Sequence, residues 1–271
     1  MKTVIAPTNF SEASLHAVNY AADMAQAFGA DLVLLHIIQF PVSFDVPLTE
    51  YEYDGMLQST EQELAKLKTG LLLRTENEIS ISTKAILGTM QNEIEDTCET
   101  NRPFIVVIGT ERKNWAERYF LGSNSFTVIK NLHYPVLVVP QNAIFRHIRR
   151  IGLASDFQNV EELPVEILRE LVEIFDASVD IIHVSKSKEE EAKNAVPFSL
   201  LKDRLKEFDP ETHFIINNNI EKAIHDYAEQ HHEDLIMVIS RKHTFLESLV
   251  HKSQSRQIAL NTHIPVLAVA E

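Results

Sequence analysis

Short apolar runs alternate with segments of helical periodicity along the whole chain. Buried parallel strands produce such runs, because helices cover both faces of the sheet and the strand residues need not alternate with polar ones. The runs predict five strands in each half of the chain. In the first half they are Val4–Ala6, Leu32–Ile38, Ser82–Ala85, Ile105–Ile108 and Val136–Val139. In the second half they are Ile151–Ala154, Val179–Val184, His213–Ile216, Leu235–Ile239 and Val266–Ala270.

Helical patterns lie between the strands of the first half. Glu12–Phe28 has apolar residues at helical spacing, follows Ser11 as a candidate N-cap and stops at Gly29. Further helices are predicted over Glu61–Leu73, Asn92–Glu99 and Ser125–Leu132. Strands that alternate with helices, joined by right-handed crossovers, predict an α/β fold with a doubly wound parallel sheet flanked by helices.

Four sequence blocks occur twice in the same order. The pairs are Thr3–Ser11 with Arg150–Gln158, Leu35–Ile38 with Ile182–Ser185, Ile105–Gly109 with Ile236–Ser240, and His133–Val139 with His263–Val269. A repeat of this length indicates two copies of one domain. We therefore predict tandem domains over residues 1–140 and 150–271, joined by a linker at 141–149, with five parallel strands in each domain.

One stretch of the first half has no clear periodicity. Phe40–Met56 contains Tyr51, Tyr53 and four acidic residues. We interpret it as a solvated crossover loop in preference to a lid over a binding site.

Charge and cysteine content limit the classes of function. The chain has 39 acidic and 25 basic residues, a net charge of −14, and so lacks the basic surface that nucleic-acid binding requires. Cys98 is the single cysteine, which predicts a reduced, cytoplasmic location and a thiol packed inside a helix. No apolar stretch approaches the roughly 20 residues that span a bilayer, so we expect no membrane partner.

The predicted topology also indicates where a ligand would bind. In an open parallel sheet, ligands bind beyond the carboxyl ends of the strands where the winding reverses. At such an end, the run Gly122, Ser123, Asn124 and Ser125 enters the last predicted helix of the first half. A glycine, hydroxyl groups and unpaired amides at a helix N-terminus suit a phosphate group. Alternatively, Ser123 or Asn124 only caps the helix.

Together with Pro7–Ser14, Leu35–Ile37, Ile108–Gly109 and Tyr134–Val139, this run makes the chain resemble a tandem member of the universal stress protein family. The resemblance covers nearly the whole chain and implies the adenine nucleotide alpha hydrolase-like fold. The family's nucleotide motif is a glycine, two residues, a second glycine, nine residues, then glycine and Ser or Thr. Gly109, Arg112, Gly122 and Ser123 stand at these spacings.

The resemblance implies an ATP site in the first domain, with Mg²⁺ accompanying the nucleotide. The implied site residues are Pro7, Asn9, Ile37, Gly109, Arg112, Gly122, Ser123, Asn124 and Ser125. Pro7 and Ile37 match the family's apolar adenine contacts. Arg112 replaces the second glycine and either crowds a phosphate or donates to it. Asn9 replaces an aspartate that contacts adenine in the family, and it keeps one acceptor oxygen.

The second domain departs further from the family motif. Asp156 matches the family aspartate, but Ser240 stands in place of Gly109 and Lys252–Ser255 in place of Gly122–Ser125. No glycine follows Gly152, so a close backbone approach to phosphate would require strained non-glycine residues. We predict that this domain does not bind ATP in the family's way.

Motifs for catalysis and for metal binding are missing from the sequence. There is no P-loop, no nucleophile elbow and no H-E-x-x-H helix, and the twelve histidines show no recognised ligand spacing. We therefore expect no metal site and no enzyme, with any ATP hydrolysis slow and incidental. His36 and His183, which are equivalent in the repeat, are expected to be structural histidines held by hydrogen bonds.

Two functions remain open at this point. In the first, the protein is an ATP-responsive stress protein whose second domain is a scaffold. In the second, both sites are degenerate and the chain is a nucleotide-independent interaction protein. The resemblance further implies an intramolecular pseudo-dimer through the edge strands Val136–Val139 and Val266–Ala270, a homodimer, and a protein partner of unknown identity.

Overall fold

The structure is a computed structural model that describes residues 2–39, 49–110, 132–157, 160–188, 195–240 and 263–270. Its backbone contacts divide the chain into two compact units, Met1–Gln141 and Asn142–Glu271. Each unit has a parallel sheet with helices packed on it, and each is described by itself.

All ten predicted strands are confirmed, with ends that move by at most two residues. The strands of the first unit are Thr3–Pro7 (β1), Asp31–Ile38 (β2), Ile81–Leu87 (β3), Ile105–Thr110 (β4) and Val136–Pro140 (β5). Those of the second unit are Arg150–Ala154 (β6), Ser178–Ser185 (β7), Glu211–Ile216 (β8), Leu235–Ser240 (β9) and Val266–Ala270 (β10).

The sheet order is the same in both units and confirms the doubly wound fold. It is β3-β2-β1-β4-β5 in the first unit and β8-β7-β6-β9-β10 in the second, with parallel pairing throughout each. The winding reverses beside β1 and beside β6. The chain therefore leaves β1 and β4 in opposite directions, and the carboxyl ends of these two strands leave a crevice between them.

The described helices of the first unit are Glu12–Phe28 (α1), Glu50–Arg74 (α2) and Met90–Asn101 (α3), and those of the second are Val165–Phe175 (α4), Ala195–Arg204 (α5) and Ile220–His231 (α6). Helix α1 begins and ends where the sequence predicts. The Ser11 side chain accepts a hydrogen bond from the Ser14 backbone N–H, and Gly29 ends the helix with a φ of 59°. The buried face of α1 packs on β1 and β4.

Helix α2 corrects the interpretation of residues 40–56. We predicted a helix over Glu61–Leu73 preceded by a loop, but the helix begins at Glu50. Thr49 and Glu52 form a capping box, in which each side chain accepts a hydrogen bond from the other residue's backbone N–H. Tyr51 therefore lies on a helix, with 88% of its surface exposed. Residues 40–48 lie outside the described part.

The first helix of the second unit is shorter than its counterpart in the first. Helices α1 and α4 end at equivalent residues, Phe28 and Phe175, but α4 begins only at Val165. Before it, Val160–Glu162 forms a single 3₁₀ turn. Pro164 has no backbone N–H and disfavours helical geometry at the preceding residue, so the helix begins immediately after it.

The predicted linker packs closely on the second unit. Ile148 is buried, and the Phe145 and His147 rings lie 6.2 and 5.6 Å from the Phe175 ring of α4. The Arg149 backbone N–H donates to Asp234 Oδ2 at 2.7 Å. Residues 142–149 therefore join the second unit without an extended spacer.

Cys98 is buried in α3, as its sequence context predicts, and burial raises the pKa of its thiol to about 12. The predicted helix Ser125–Leu132 lies outside the described residues, apart from Leu132. Among the helices of the described ranges, none has the length and apolar character that crossing a membrane requires.

Candidate functional site

Three of the predicted nucleotide residues lie at one edge of the first sheet. Pro7 ends β1, Ile37 is next to last in β2 and Gly109 is next to last in β4. Because β1 pairs with both β2 and β4 in parallel, the ends of these strands meet at the same edge. Asn9 lies exposed in the loop that follows β1. The remaining predicted site residues, namely Arg112, Gly122, Ser123, Asn124 and Ser125, lie outside the described residues.

Side chains of the loop after β1 form hydrogen bonds that hold this loop against the start of α1. Thr8 Oγ1 accepts from the Phe10 backbone N–H at 3.0 Å and lies 3.0 Å from Ser14 Oγ. Asn9 Oδ1 accepts from the Ser11 backbone N–H at 3.1 Å. Phe10 adopts a left-handed φ of 60°. The loop is therefore closed at the N-terminus of α1, where the helix dipole favours a negative charge.

The hydrogen bond from the Ser11 backbone N–H to Asn9 Oδ1 changes what the replacement of the family's aspartate by Asn9 means for a ligand. The single carbonyl oxygen of Asn9 already serves the loop, so a ligand meets mainly the amide nitrogen or the second lone pair of that oxygen. An aspartate in the same place would keep the Ser11 bond with one oxygen and present the other to a donor. Asp156, the counterpart of Asn9 in the second unit, is likewise exposed.

Gly109 has a packing role that the sequence does not reveal. A Cβ atom at Gly109 would lie 2.2 Å from the Ala13 carbonyl oxygen and 3.2 Å from Ala17 Cβ. Only glycine lets the first turns of α1 approach β4 so closely. This glycine would be required whether or not a phosphate binds nearby, so its presence alone does not indicate a phosphate site. In the sequence, Ala13 and Ala17 could have indicated this close packing, since small residues on one helix face allow a strand to approach.

Each unit holds its histidine in the same way. His36 Nδ1 lies 2.8 Å from the Thr8 carbonyl oxygen, and the Phe10 ring stacks on the imidazole at 4.8 Å. This confirms the prediction of a hydrogen-bonded histidine in the first unit.

In the second unit His183 Nδ1 lies 2.8 Å from the Ser155 carbonyl oxygen, and the Phe157 ring stacks on it at 4.1 Å. Phe157 has a φ of 59°, and its backbone N–H donates to Ser155 Oγ at 3.1 Å. The motif of a hydroxyl residue, any residue and phenylalanine, followed by a histidine on the next strand, is thus a structural device common to both units.

The His36 contacts predict a pH dependence for the stability of the first unit. Burial lowers the pKa of His36 below its ordinary 6.5, and the Thr8 carbonyl and Glu63 only partly oppose this effect. Since the unfolded chain binds a proton at this site more readily than the folded one, stability is lost as the pH falls through 6.5. We expect urea unfolding at about pH 7.5 and 5.5 to show a smaller loss for His36→Gln than for the wild type. His133→Gln, at an exposed position, is the control and should lose as much stability between the two pH values as the wild type. If His36→Gln loses as much unfolding free energy as this control, the prediction is contradicted.

A second polar group of residues lies at the amino ends of the strands in the second unit. Arg150, at the start of β6, forms an ion pair with Asp180 of β7, and its Nε lies 3.6 Å from Glu233 Oε1. The Asp180 and Glu233 side chains are almost fully buried. Burial, reinforced by the neighbouring Asp180 carboxylate, raises the pKa of Glu233 to about 8. Gly152 lies next to this carboxyl, since a Cβ there would be at the ordinary contact distance of 3.4 Å from Glu233 Oε2.

Strand β8 and helix α6 complete this group. Glu211 and His213 lie on β8 beside Asp180, and one ligand atom from each of these three residues lies within 4.8 Å of the others. The Tyr227 and His231 rings of α6 stack on each other at 4.0 Å, and both lie close to the His213 ring. We call Arg150, Asp180, Glu211, His213 and Glu233 the amino-edge cluster. Sequence reasoning missed it, because Arg150, Asp180, Glu233 and the pair Glu211 and His213 come from separate strands and strand ends that only strand pairing brings together.

Comparison with known proteins agrees with both the fold and the repeat. The sequence model of the Universal stress protein family matches residues 1–140 and again residues 147–270. A universal stress protein of Methanocaldococcus jannaschii is 30% identical over 141 residues, which are 51% of this chain and 81% of that protein. Universal stress protein G of Escherichia coli O157:H7 is 30% identical over 145 residues, which are 51% of this chain and 98% of that protein.

A solved structure shows the same fold over the whole chain. The universal stress protein of Archaeoglobus fulgidus DSM 4304 matches with a TM-score of 0.73 at 20% identity, covering 99% of this chain and 96% of that one. With both halves matched separately by one family model, the chain belongs to the universal stress protein family, as a member with two tandem domains.

Proposed function

We propose that this protein is a cytoplasmic stress-response protein whose first unit binds ATP with Mg²⁺ and whose second unit is a scaffold. Its output is a change in conformation or in binding, and any hydrolysis of the nucleotide is slow and incidental. The observation that carries the proposal is that Pro7, Asn9 and Ile37 all lie at the carboxyl edge of the first sheet, where the winding reverses beside β1.

The register of β1 and β2 supports an apolar wall for the adenine base. Pro7 pairs with Leu35, and Ile37 follows Leu35 by two residues, so all three side chains lie on one face of the sheet. Ile37 is buried and Pro7 half-buried. Asn9 is exposed two residues after Pro7, and we assign its side chain to the polar edge of the base. This pairing of an apolar wall with a few polar groups is typical of small-molecule sites.

The sequence supports one nucleotide per chain. Gly122–Ser125 stands at the family spacing from Gly109, whereas the second unit has Lys252–Ser255 at that position and no glycine beyond Gly152. Arg112 adds a guanidinium at the second glycine position of the motif, and guanidinium groups bind phosphate oxygens in pairs. The proposal for the phosphate end of the site is therefore supported by the sequence alone. The proposal for the base end is supported by the strand positions of Pro7 and Ile37.

Isothermal titration of nucleotide-stripped protein with ATP and Mg²⁺ tests the proposal. We expect a stoichiometry of about one per chain, because only one unit has the glycine spacing. Gly122→Val should abolish the heat of binding, and the matched variant Ser253→Val, at the position equivalent to Ser123 in the second unit, should leave it unchanged. An absence of heat in the wild type would contradict ATP binding and favour the nucleotide-independent interaction protein.

A second variant tests the assigned base end of the site. Because Asp can serve both Ser11 and a ligand donor, we expect Asn9→Asp to tighten ATP binding by about three- to tenfold, the value of one additional hydrogen bond. Asp156→Asn, the converse change in the second unit, should have no effect on ATP affinity. Unchanged or weaker binding in Asn9→Asp would show that Asn9 does not face the base.

The assembly implied by the family resemblance stays a prediction. It comprises the pseudo-dimer through the last strands of the two units, a homodimer and a protein partner.

A further inference from the structure

The amino-edge cluster lies at the amino ends of the strands of the second unit. The proposed nucleotide edge, by contrast, is formed by the carboxyl ends of the strands of the first unit. Asp180 of β7 pairs in register with Glu211 of β8, and His213 follows Glu211 by two residues. Side chains two residues apart on a strand share a face, as do those of register partners on adjacent parallel strands. The carboxyl groups of Asp180 and Glu211 and the imidazole of His213 therefore converge over one patch of the sheet.

We propose that Asp180, Glu211 and His213 form a binding site for a divalent transition-metal ion. This inference concerns a different edge of a different unit, so it is independent of the proposed ATP binding.

The charges around Asp180 call for a cation. Three carboxyl groups, those of Asp180, Glu211 and Glu233, surround the single guanidinium of Arg150, and two of the three are almost fully buried. Arg150 bonds to Asp180 Oδ2, but its Nε stays 3.6 Å from Glu233. Since a pKa of about 8 leaves Glu233 largely protonated at neutral pH, the negative charge beside Arg150 comes from Asp180 and Glu211, and a divalent ion between these two carboxylates would offset it.

A buried carboxyl and an unsatisfied imidazole nitrogen lie at the same place. The Glu233 side chain is fully buried, and a hydrogen bond with Asp180 contributes to its raised pKa. Gly152 is the register partner of Asp180, and Glu233 Oε2 lies over Gly152, so this carboxyl lies beside Asp180 on the same face. His213 Nε2 is also buried without a hydrogen-bond partner among the described residues, 3.7 Å from Glu211 Oε2. An imidazole nitrogen in this state is available as a metal ligand.

The donor set favours a first-row transition metal. Two carboxylates and one imidazole suit Zn²⁺ and its neighbours in the series, whereas Mg²⁺ and Ca²⁺ prefer oxygen ligands alone. Ligands about 2.1 Å from a tetrahedral Zn²⁺ lie about 3.4 Å from one another. The ligand atoms now lie within 4.8 Å of one another, and the Glu211 side chain, 78% exposed, can rotate to close the difference. Water would complete the coordination.

Titration calorimetry of the untagged, metal-stripped protein with ZnCl₂ tests the site. We expect about one tight ion per chain in the wild type, and a loss of affinity of at least about tenfold in His213→Gln and in Glu211→Gln, since each removes a direct ligand. His133→Gln, which removes an exposed histidine of the first unit, is the matched control and should bind as the wild type does. Both cluster positions are at least partly exposed, so these variants should fold, and far-UV circular dichroism verifies it.

Thermal unfolding gives a second readout. Zn²⁺ should raise the Tm of the wild type and of His133→Gln but not that of His213→Gln, because an ion bound only by the folded state stabilises it. Three outcomes would overturn the proposal. They are no binding by the wild type up to about 1 mM Zn²⁺, unchanged affinity in both cluster variants, and an equal loss in the control.

Discussion

Gly109→Ala is expected to lower the free energy of unfolding of the first unit by about 3 kcal/mol. The new methyl carbon would lie 2.2 Å from the Ala13 carbonyl oxygen, a backbone atom that can move only if α1 shifts away from β4. That shift would disturb the buried alanine face of α1 along the strand. Urea unfolding followed by far-UV circular dichroism measures the loss.

The control for this experiment is a glycine with space around it. A Cβ at Gly55 in α2 would meet no atom within 4 Å, and alanine is the better helix former, so we expect Gly55→Ala to stabilise by about 0.5–1 kcal/mol. Equal effects at the two positions would show that the close approach of α1 to β4 does not constrain Gly109.

The result also bears on how the family motif is interpreted. Val160, the counterpart of Ala13 in the second unit, lies in the 3₁₀ turn that precedes the shorter helix α4. The second unit thus lacks the regular helical turn that packs on Gly109 in the first unit. Absence of glycine at position 240, the counterpart of Gly109, therefore does not by itself report loss of phosphate binding.

Phe157→Ala is expected to destabilise the second unit by about 3–5 kcal/mol, the range for deletion of a buried phenylalanine ring. Phe157 is 1% exposed, stacks on His183 at 4.1 Å, and has the Phe198 and Phe214 rings 5.4 and 6.1 Å away. Removal of the ring leaves a cavity between the sheet and α5 that these neighbours only partly fill. Hydrogen exchange measured by mass spectrometry on peptides from β7 localises the loss to this unit.

The repeat supplies a matched variant for this prediction. Phe10 stands at the equivalent position with nearly the same φ, 60° against 59°, so the backbone contribution cancels between the two substitutions. Phe10 is only half-buried and stacks on His36 at 4.8 Å. We expect Phe10→Ala to cost about 1–2 kcal/mol. We attribute the larger cost of Phe157→Ala to the rings of Phe198 and Phe214 beside it. An equal cost for Phe10→Ala would contradict that explanation.

Much of the fold could be predicted from the pattern of residues. Apolar runs predicted all ten strands, because the central strands are covered on both faces and bury most of their residues, and Ser11 and Gly29 marked both ends of α1. The start of α2 was missed. Its first turns carry mainly exposed polar and aromatic side chains and no apolar stripe, and the capping box of Thr49 and Glu52 was the signal that was overlooked.

The candidate sites were predictable only in part. Residues near one another in the sequence, such as Pro7 and Asn9, could be placed at the carboxyl edge because chain direction alone sets which end of a parallel strand they occupy. Asp180 and Glu211 could not be paired in this way. Their meeting depends on the register of two strands separated by a helix, and register is set by packing across the whole sheet.

By itself, then, the sequence determined the α/β class, the tandem repeat and the family, since these follow from local periodicity and from short blocks of residues. The tertiary structure alone decided that Gly109 serves helix packing, that the Asn9 oxygen is already engaged by Ser11, and that the amino-edge cluster exists. Each of these depends on distances between atoms brought together by strand order and helix approach, and such distances are not encoded at any single position of the chain.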